Sequence, residues 1–323
     1  MAVRITNVGA AFSAALAFRF LFASAAAAQQ PIPRTPDGHP DFQGIWESNI
    51  LPKVERLPGA TALVVDDAEA KRLSDAYWSQ HFEDSPVYDP HENLGMARNL
   101  SRVNGEWRTG LVTEPPDGKI PLTEAGRKLL AASRTAYDGP PRADYETRPW
   151  KERCLAGPAR APLLVSPTDN MRQIVQTPGH VMIWTEDDGG EARIAGIGAA
   201  RRPAALTSFL GDSVARWDGD TLVIDTTNAR DEQAGRSASI VARQAAHVVE
   251  RLSYISPDEV LYRFTIEDPL VFARPWSGEY SFRRSKRPTF ETDCHGGNYA
   301  LPNVLSGARE VERRATAGKA NPR

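Results

Sequence analysis

Three hairpin signals in the second half of the chain constrain the fold more than any other feature. Gln173-Ile174-Val175-Gln176-Thr177 meets Val181-Met182-Ile183-Trp184-Thr185 across Pro178-Gly179. Val214-Ala215-Arg216-Trp217 meets Thr221-Leu222-Val223-Ile224-Asp225 across Asp218-Gly219, and His247 to Ile255 meets Val260 to Ile266 through Ser256-Pro257-Asp258. Runs of β-branched and aromatic residues separated by such turn residues read as antiparallel pairs. Gly278 to Arg284, Ala192 to Ala195 and Gly44-Ile45-Trp46 add further strands. The pattern predicts a mainly β fold, an antiparallel up-and-down barrel or sandwich of lipocalin-like type.

The first half reads differently. Most of the 25 prolines lie before residue 171, which predicts a proline-rich wrap over residues 29–164 with short helices and one strand near 42–48. Asp66-Asp67 marks one helix start and Thr123 another. The barrel is expected over residues 165–300, followed by a short helix at Leu305 to Arg314 and a tail within 301–323. Residues 1–28 read as a signal peptide of the general secretory type. Arg4 precedes an alanine-rich apolar run that ends in Ala26-Ala27-Ala28, so a periplasmic or secreted location is expected.

Two cysteines, Cys154 and Cys294, are expected to form a disulfide in that compartment; a reactive thiol or a metal ligand is the alternative. A net charge of −2 with 25% charged residues gives no footprint for nucleic acid. No later stretch is long and uncharged enough to insert stably in a bilayer. No metal site or cofactor is called for, because His39, His81, His91, His180, His247 and His295 show no ligand spacing. Gly196-Ile197-Gly198 has Arg201 at the third glycine position of a dinucleotide fingerprint. Gly211-Asp212-Ser213-Val214-Ala215 lacks the last glycine of a hydrolase elbow and runs into hairpin pattern.

The remaining chemistry is sorted by strand alternation. Val248, Glu250 and Leu252 share one face; His247, Val249 and Arg251 share the other. Tyr262, Phe264, Ile266 and Asp268 form an apolar stripe that ends in a carboxylate just before Pro269. Glu250 and Glu267 are read as solvent-facing, with Glu250 also a candidate acid or base. The seven tryptophans are candidates to stack on a planar ligand, with core packing favoured for Trp46 and Trp217.

Several motifs carry a resemblance. Thr35-Pro36-Asp37-Gly38-His39-Pro40-Asp41-Phe42-Gln43-Gly44-Ile45-Trp46, Gly211-Asp212-Ser213-Val214-Ala215-Arg216-Trp217-Asp218-Gly219-Asp220-Thr221-Leu222 and Cys294-His295-Gly296-Gly297-Asn298-Tyr299 resemble a large, poorly characterised family of exported bacterial proteins. That family implies export and no particular chemistry. The Gly44-x-Trp46 element also resembles the first strand of lipocalin-type barrels.

These readings lead to a small organic molecule, apolar or aromatic, held in a barrel cavity. The competing expectation is a cofactor-independent lyase, isomerase or hydrolase in the same cavity. The expected catalytic groups are His295, Asp268 and Glu250, and the ligand contacts are Arg274, Trp276, Tyr299 and Arg251. The pattern fixes no oligomeric state.

Overall fold

The computed structural model describes residues 31–80, 97–138, 144–150, 152–157, 159–165, 171–186, 191–231, 243–290, 294, 297 and 299–320. The second half carries the strands that the turn residues announce. They are β6 (Met171–Gln176), β7 (His180–Thr185), β8 (Glu191–Ile197), β9 (Asp212–Asp218), β10 (Thr221–Thr227), β11 (His247–Ser256), β12 (Glu259–Glu267) and β13 (Trp276–Arg284). The first half supplies β1 (Gly44–Glu47), β2 (Val64–Val65), β3 (Ser101–Val103), β4 (Glu106–Arg108), β5 (Val112–Glu114) and the helices α1 (Asp67–Trp78) and α2 (Glu124–Asp138); α3 (Ala300–Ala320) ends the chain. The last helix is longer than its sequence pattern predicts.

β1 closes the sheet. Its Trp46 pairs with Arg172 on β6 and with Arg284 on β13, which joins nine strands into a ring. Closure satisfies the backbone groups that an open sheet leaves at its edges. The ring is a mixed barrel rather than a purely antiparallel one. Gly196 and Ile197 on β8 pair in parallel with Val214 and Ala215 on β9. The connection 198–211 carries the chain back to the end where β8 began, so β9 runs in the same direction. The β9–β10 hairpin turns through Gly219 and Asp220, with Gly219 at φ +59°, the positive φ that two-residue hairpin turns favour. β5 adds to the outside of the ring by pairing with β13.

Alternate residues of each strand fill the lumen. Trp46, Leu222, Leu252, Val260, Tyr262, Trp276, Tyr280 and Phe282 are all fully buried. Each large apolar side chain placed there contributes roughly 1.5–3 kcal/mol relative to exposure. Gly278 is required by this packing: a Cβ there would lie 2.6 Å from the Phe264 ring. One end of the barrel is capped by the chain before β1. His39 stacks flat on Trp217 at 4.3 Å between ring centroids, Phe42 stacks on Tyr254, and Arg34 pairs with Asp220. The other end, where β9 begins and β10 ends, is called the mouth below.

The proline-rich half is more ordered than its composition predicts. β2, β4 and β3 form a small separate sheet. Beside it Ala70 and Leu73 of α1 bury against Leu51, Leu57 and Leu100. Asp66 caps α1 by accepting the Glu69 amide hydrogen, and Thr123 caps α2 by accepting that of Gly126. Among the described residues no helix is long and apolar enough to cross a membrane.

Candidate functional site

The lumen near the mouth holds a polar cluster inside an apolar wall. Arg193 points inward from β8, and Glu250 from β11 lies fully buried. The pair is bidentate: Arg193 Nη1 donates to Glu250 Oε2 at 2.5 Å and Nη2 to Oε1 at 2.7 Å. Nη1 also reaches Thr226 Oγ1 at 3.2 Å. Tyr262 donates its hydroxyl to Glu250 Oε1 at 2.6 Å. Burial opposes the charge on Arg193, but Glu250 outweighs it and raises the guanidinium pKa further. Burial also lifts both lumen phenols, Tyr262 well above the usual range and Tyr280 up to about 12, so both stay protonated donors.

This cluster grips the protein's own backbone. The Leu163 amide donates to the Tyr262 hydroxyl at 2.7 Å, and the Leu163 carbonyl accepts from Tyr280 at 2.5 Å. Arg193 Nε donates to the Ala159 carbonyl, and Arg172 Nη2 to that of Leu164, both at 3.0 Å. Residues 159–165 therefore enter the mouth and seal the lumen from that side. Glu250 keeps no oxygen lone pair open toward solvent, because it serves a guanidinium fork and a phenol in a site without exposure. It is a structural carboxylate here and not the solvent-facing group that its strand pattern predicts.

The other expected site residues are not gathered with it. Glu250 pairs in register with Phe264. Asp268 lies four residues further on, about 13 Å along the strand at about 3.3 Å per residue. Asp268 does sit at the mouth, buried, where Arg243 Nε donates to it at 2.7 Å and the Leu270 amide at 3.0 Å. Its ion-pair partner is Arg243. Arg251 lies on the outer face and pairs with Asp218, and Arg274 is exposed. Trp276 is fully buried, edge-on to Phe264 and Phe272, so it packs the core instead of forming a stacking wall. Tyr299 is 75% exposed. His295 lies outside the described residues. Cys154 and Cys294 form the expected disulfide, with Cα atoms 5.8 Å apart.

An open cleft of about 210 Å³ lies on the mouth, over the sealed lumen. Trp150 and Arg153 come from the segment that leads to residues 159–165; Phe209 precedes β9 and Arg230 follows β10. Trp150 and Phe209 meet edge to face at 5.1 Å. The Arg153 guanidinium lies 5.0 Å over the Tyr145 ring, and that of Arg230 lies 4.9 Å over Phe209. Arg148 also lines the cleft but is buried and held bidentately by Glu152. Arg153 and Arg230 have no such carboxylate; neither forms an ion pair among the described residues. Trp150 was readable as a stacking candidate. The arginines and Phe209 carried no sequence signal, since they sit in loops without periodicity.

A second polar group decorates the outer wall. His247 Nε2 meets Asp225 at 2.6 Å and Nδ1 meets Glu267 at 2.7 Å, while Arg201 also pairs with Asp225. Burial lowers the His247 pKa, but the two carboxylate hydrogen bonds outweigh it and the net shift is upward. A raised histidine pKa stabilises the fold fully below the unfolded value of about 6.5. That contribution is lost as pH rises through the higher folded value. Urea unfolding midpoints are therefore expected to fall over that alkaline-going window in the native protein. His247→Gln is expected to flatten the fall, and an unchanged pH profile in the variant would remove His247 as its source.

The chain matches no known protein-family model and no curated protein.

Proposed function

We propose that the protein is an exported binding protein that holds a small organic molecule at the mouth of its barrel. One observation carries this reading. The lumen is packed and sealed by residues 159–165, while above it an open cleft is bordered by Trp150, Phe209 and two guanidiniums that form no ion pair among the described residues. Five charged side chains line the cleft beside two rings, so oriented polar groups hold its ligand together with ring contact. The Cys154–Cys294 bond supports export, because such bonds persist in oxidising compartments.

The test is native purification from the protein's own compartment, followed by mass spectrometry of the small molecules it releases. One organic species is expected at close to one per chain. Phe209 is only half-buried, so Phe209→Ala should keep the fold and lower retention by about ten-fold, which is about 1.4 kcal/mol. A native protein that releases nothing, or a Phe209→Ala protein that retains its ligand fully, would overturn the cleft as the binding site.

A further inference from the structure

We propose that the mouth cleft selects a planar aromatic monocarboxylate, which rests on the reading of that cleft as a ligand site. The cations supply the first argument. A guanidinium laid over a ring has its flat face occupied, so its N–H donors remain available at its edge. Arg153 lies 5.0 Å from the Tyr145 ring centre and Arg230 4.9 Å from that of Phe209, and neither forms an ion pair among the described residues. Edge donors in one plane match the two oxygens of a carboxylate and give the stronger, charge-assisted class of hydrogen bond. Arg148 serves as the internal comparison: the same side chain, in the same cleft, already holds the carboxylate of Glu152 in that bidentate way. Among the described residues, Arg153 and Arg230 lack the partner that Arg148 has.

The walls supply the second argument. Trp150 and Phe209 stand edge to face, and a third ring entering beside them continues an arrangement that aromatic groups favour. The cleft is small, about 210 Å³, and open on one side, which suits a compact planar ligand.

The charge balance limits the ligand further. Glu146 and Asp231 also line the cleft. With Arg148 neutralised by Glu152, two free cations face two carboxylates. A site so balanced has no excess positive field to hold a di- or triphosphate. It offers local donors to a single negative group whose body is apolar.

The experiment uses the full mature chain, with tryptophan fluorescence and calorimetry to follow titration with benzoate, 1-naphthoate, benzamide and pyrophosphate. The carboxylates are expected to bind, with benzamide at least ten-fold weaker and pyrophosphate undetected. Arg153→Gln and Arg230→Gln should each weaken benzoate about ten-fold while leaving benzamide unchanged. Neither side chain is in an ion pair among the described residues, so the melting temperature should hold. Raising salt should weaken benzoate more than benzamide. Equal binding of benzoate and benzamide, with both variants unaffected, would overturn the anion assignment and leave a ring-binding cleft standing. Tighter binding of pyrophosphate than of benzoate would overturn the monocarboxylate. Binding of none of the four ring or anion probes would overturn this inference together with the cleft as a ligand site.

Discussion

Glu250→Ala is expected to lower folding stability by about 3–5 kcal/mol, the penalty for leaving one partner of a buried ion pair uncompensated. Arg193 would remain in a lumen without solvent, and Tyr262 would lose the acceptor that orients it toward the Leu163 amide. The effect has a signature that ordinary cavity formation lacks. The double variant Arg193→Met with Glu250→Leu removes both charges while filling similar volume, and it should recover most of the loss. Equilibrium urea unfolding of the native protein, both single variants and the double variant measures the coupling directly. A cost below about 1 kcal/mol for Glu250→Ala would be that of an exposed pair and would contradict the packed lumen. The same cycle reports on the seal. If residues 159–165 are held mainly through Arg193, Tyr262 and Tyr280, amide exchange at Leu163 should quicken in Glu250→Ala before strand amides do.

The barrel was legible where turn chemistry and alternation agreed. Pro178-Gly179 and Pro257-Asp258 each fixed a hairpin, because a short loop sets the register of both flanking strands; Asp218-Gly219 marked a third, one residue before its actual turn at Gly219-Asp220. β8 shows where that logic stops. Its sequence, Glu191-Ala-Arg-Ile-Ala-Gly-Ile197, places a charged residue between apolar neighbours. Hydrophobicity alone points Ile194 inward, yet Ile194 is 58% exposed and Arg193 is buried. The inversion follows from Glu250 three strands away in the sheet order, a partner that no local window contains. The parallel contact between β8 and β9 was hidden for a similar reason. It depends on which end of the barrel the connection 198–211 reaches, and loop length does not state direction.

The site was less legible than the fold. Asp268 was correctly placed at a strand end by alternation, but its partner Arg243 comes from the segment before β11. The strands β2 to β4 are only two or three residues long, below what a period-two pattern can announce. Arginines in loops are usually solvated, so sequence gives no reason to single out Arg153 or Arg230. What distinguishes them is geometric: a ring beside each guanidinium and no ion pair among the described residues, although Glu146 and Asp231 line the same cleft.

Removing the disulfide, as Cys154→Ser with Cys294→Ser, is expected to cost up to about 5 kcal/mol, since it frees a loop of 140 residues in the unfolded chain. That loop contains all of β6 to β13, so the tether closes nearly the whole barrel. The chain-entropy effect acts on the unfolded state and predicts a lower unfolding midpoint with unchanged native strand pairing. A local effect should accompany it. Cys154 directly follows Arg153, and the bond holds that stretch against the segment that precedes α3. Without the bond, the stretch that carries Arg153 loses its covalent tether, and the cleft loses preorganisation. Under conditions where the double serine variant is still fully folded by circular dichroism, its affinity for benzoate should already be reduced several-fold. Reduction of the native protein by a mild thiol should reproduce both effects, which separates loss of the bond from any effect of the serines. A variant with native affinity and a lowered midpoint would confine the disulfide to chain entropy, and one with an unchanged midpoint would mean that the barrel closes without it.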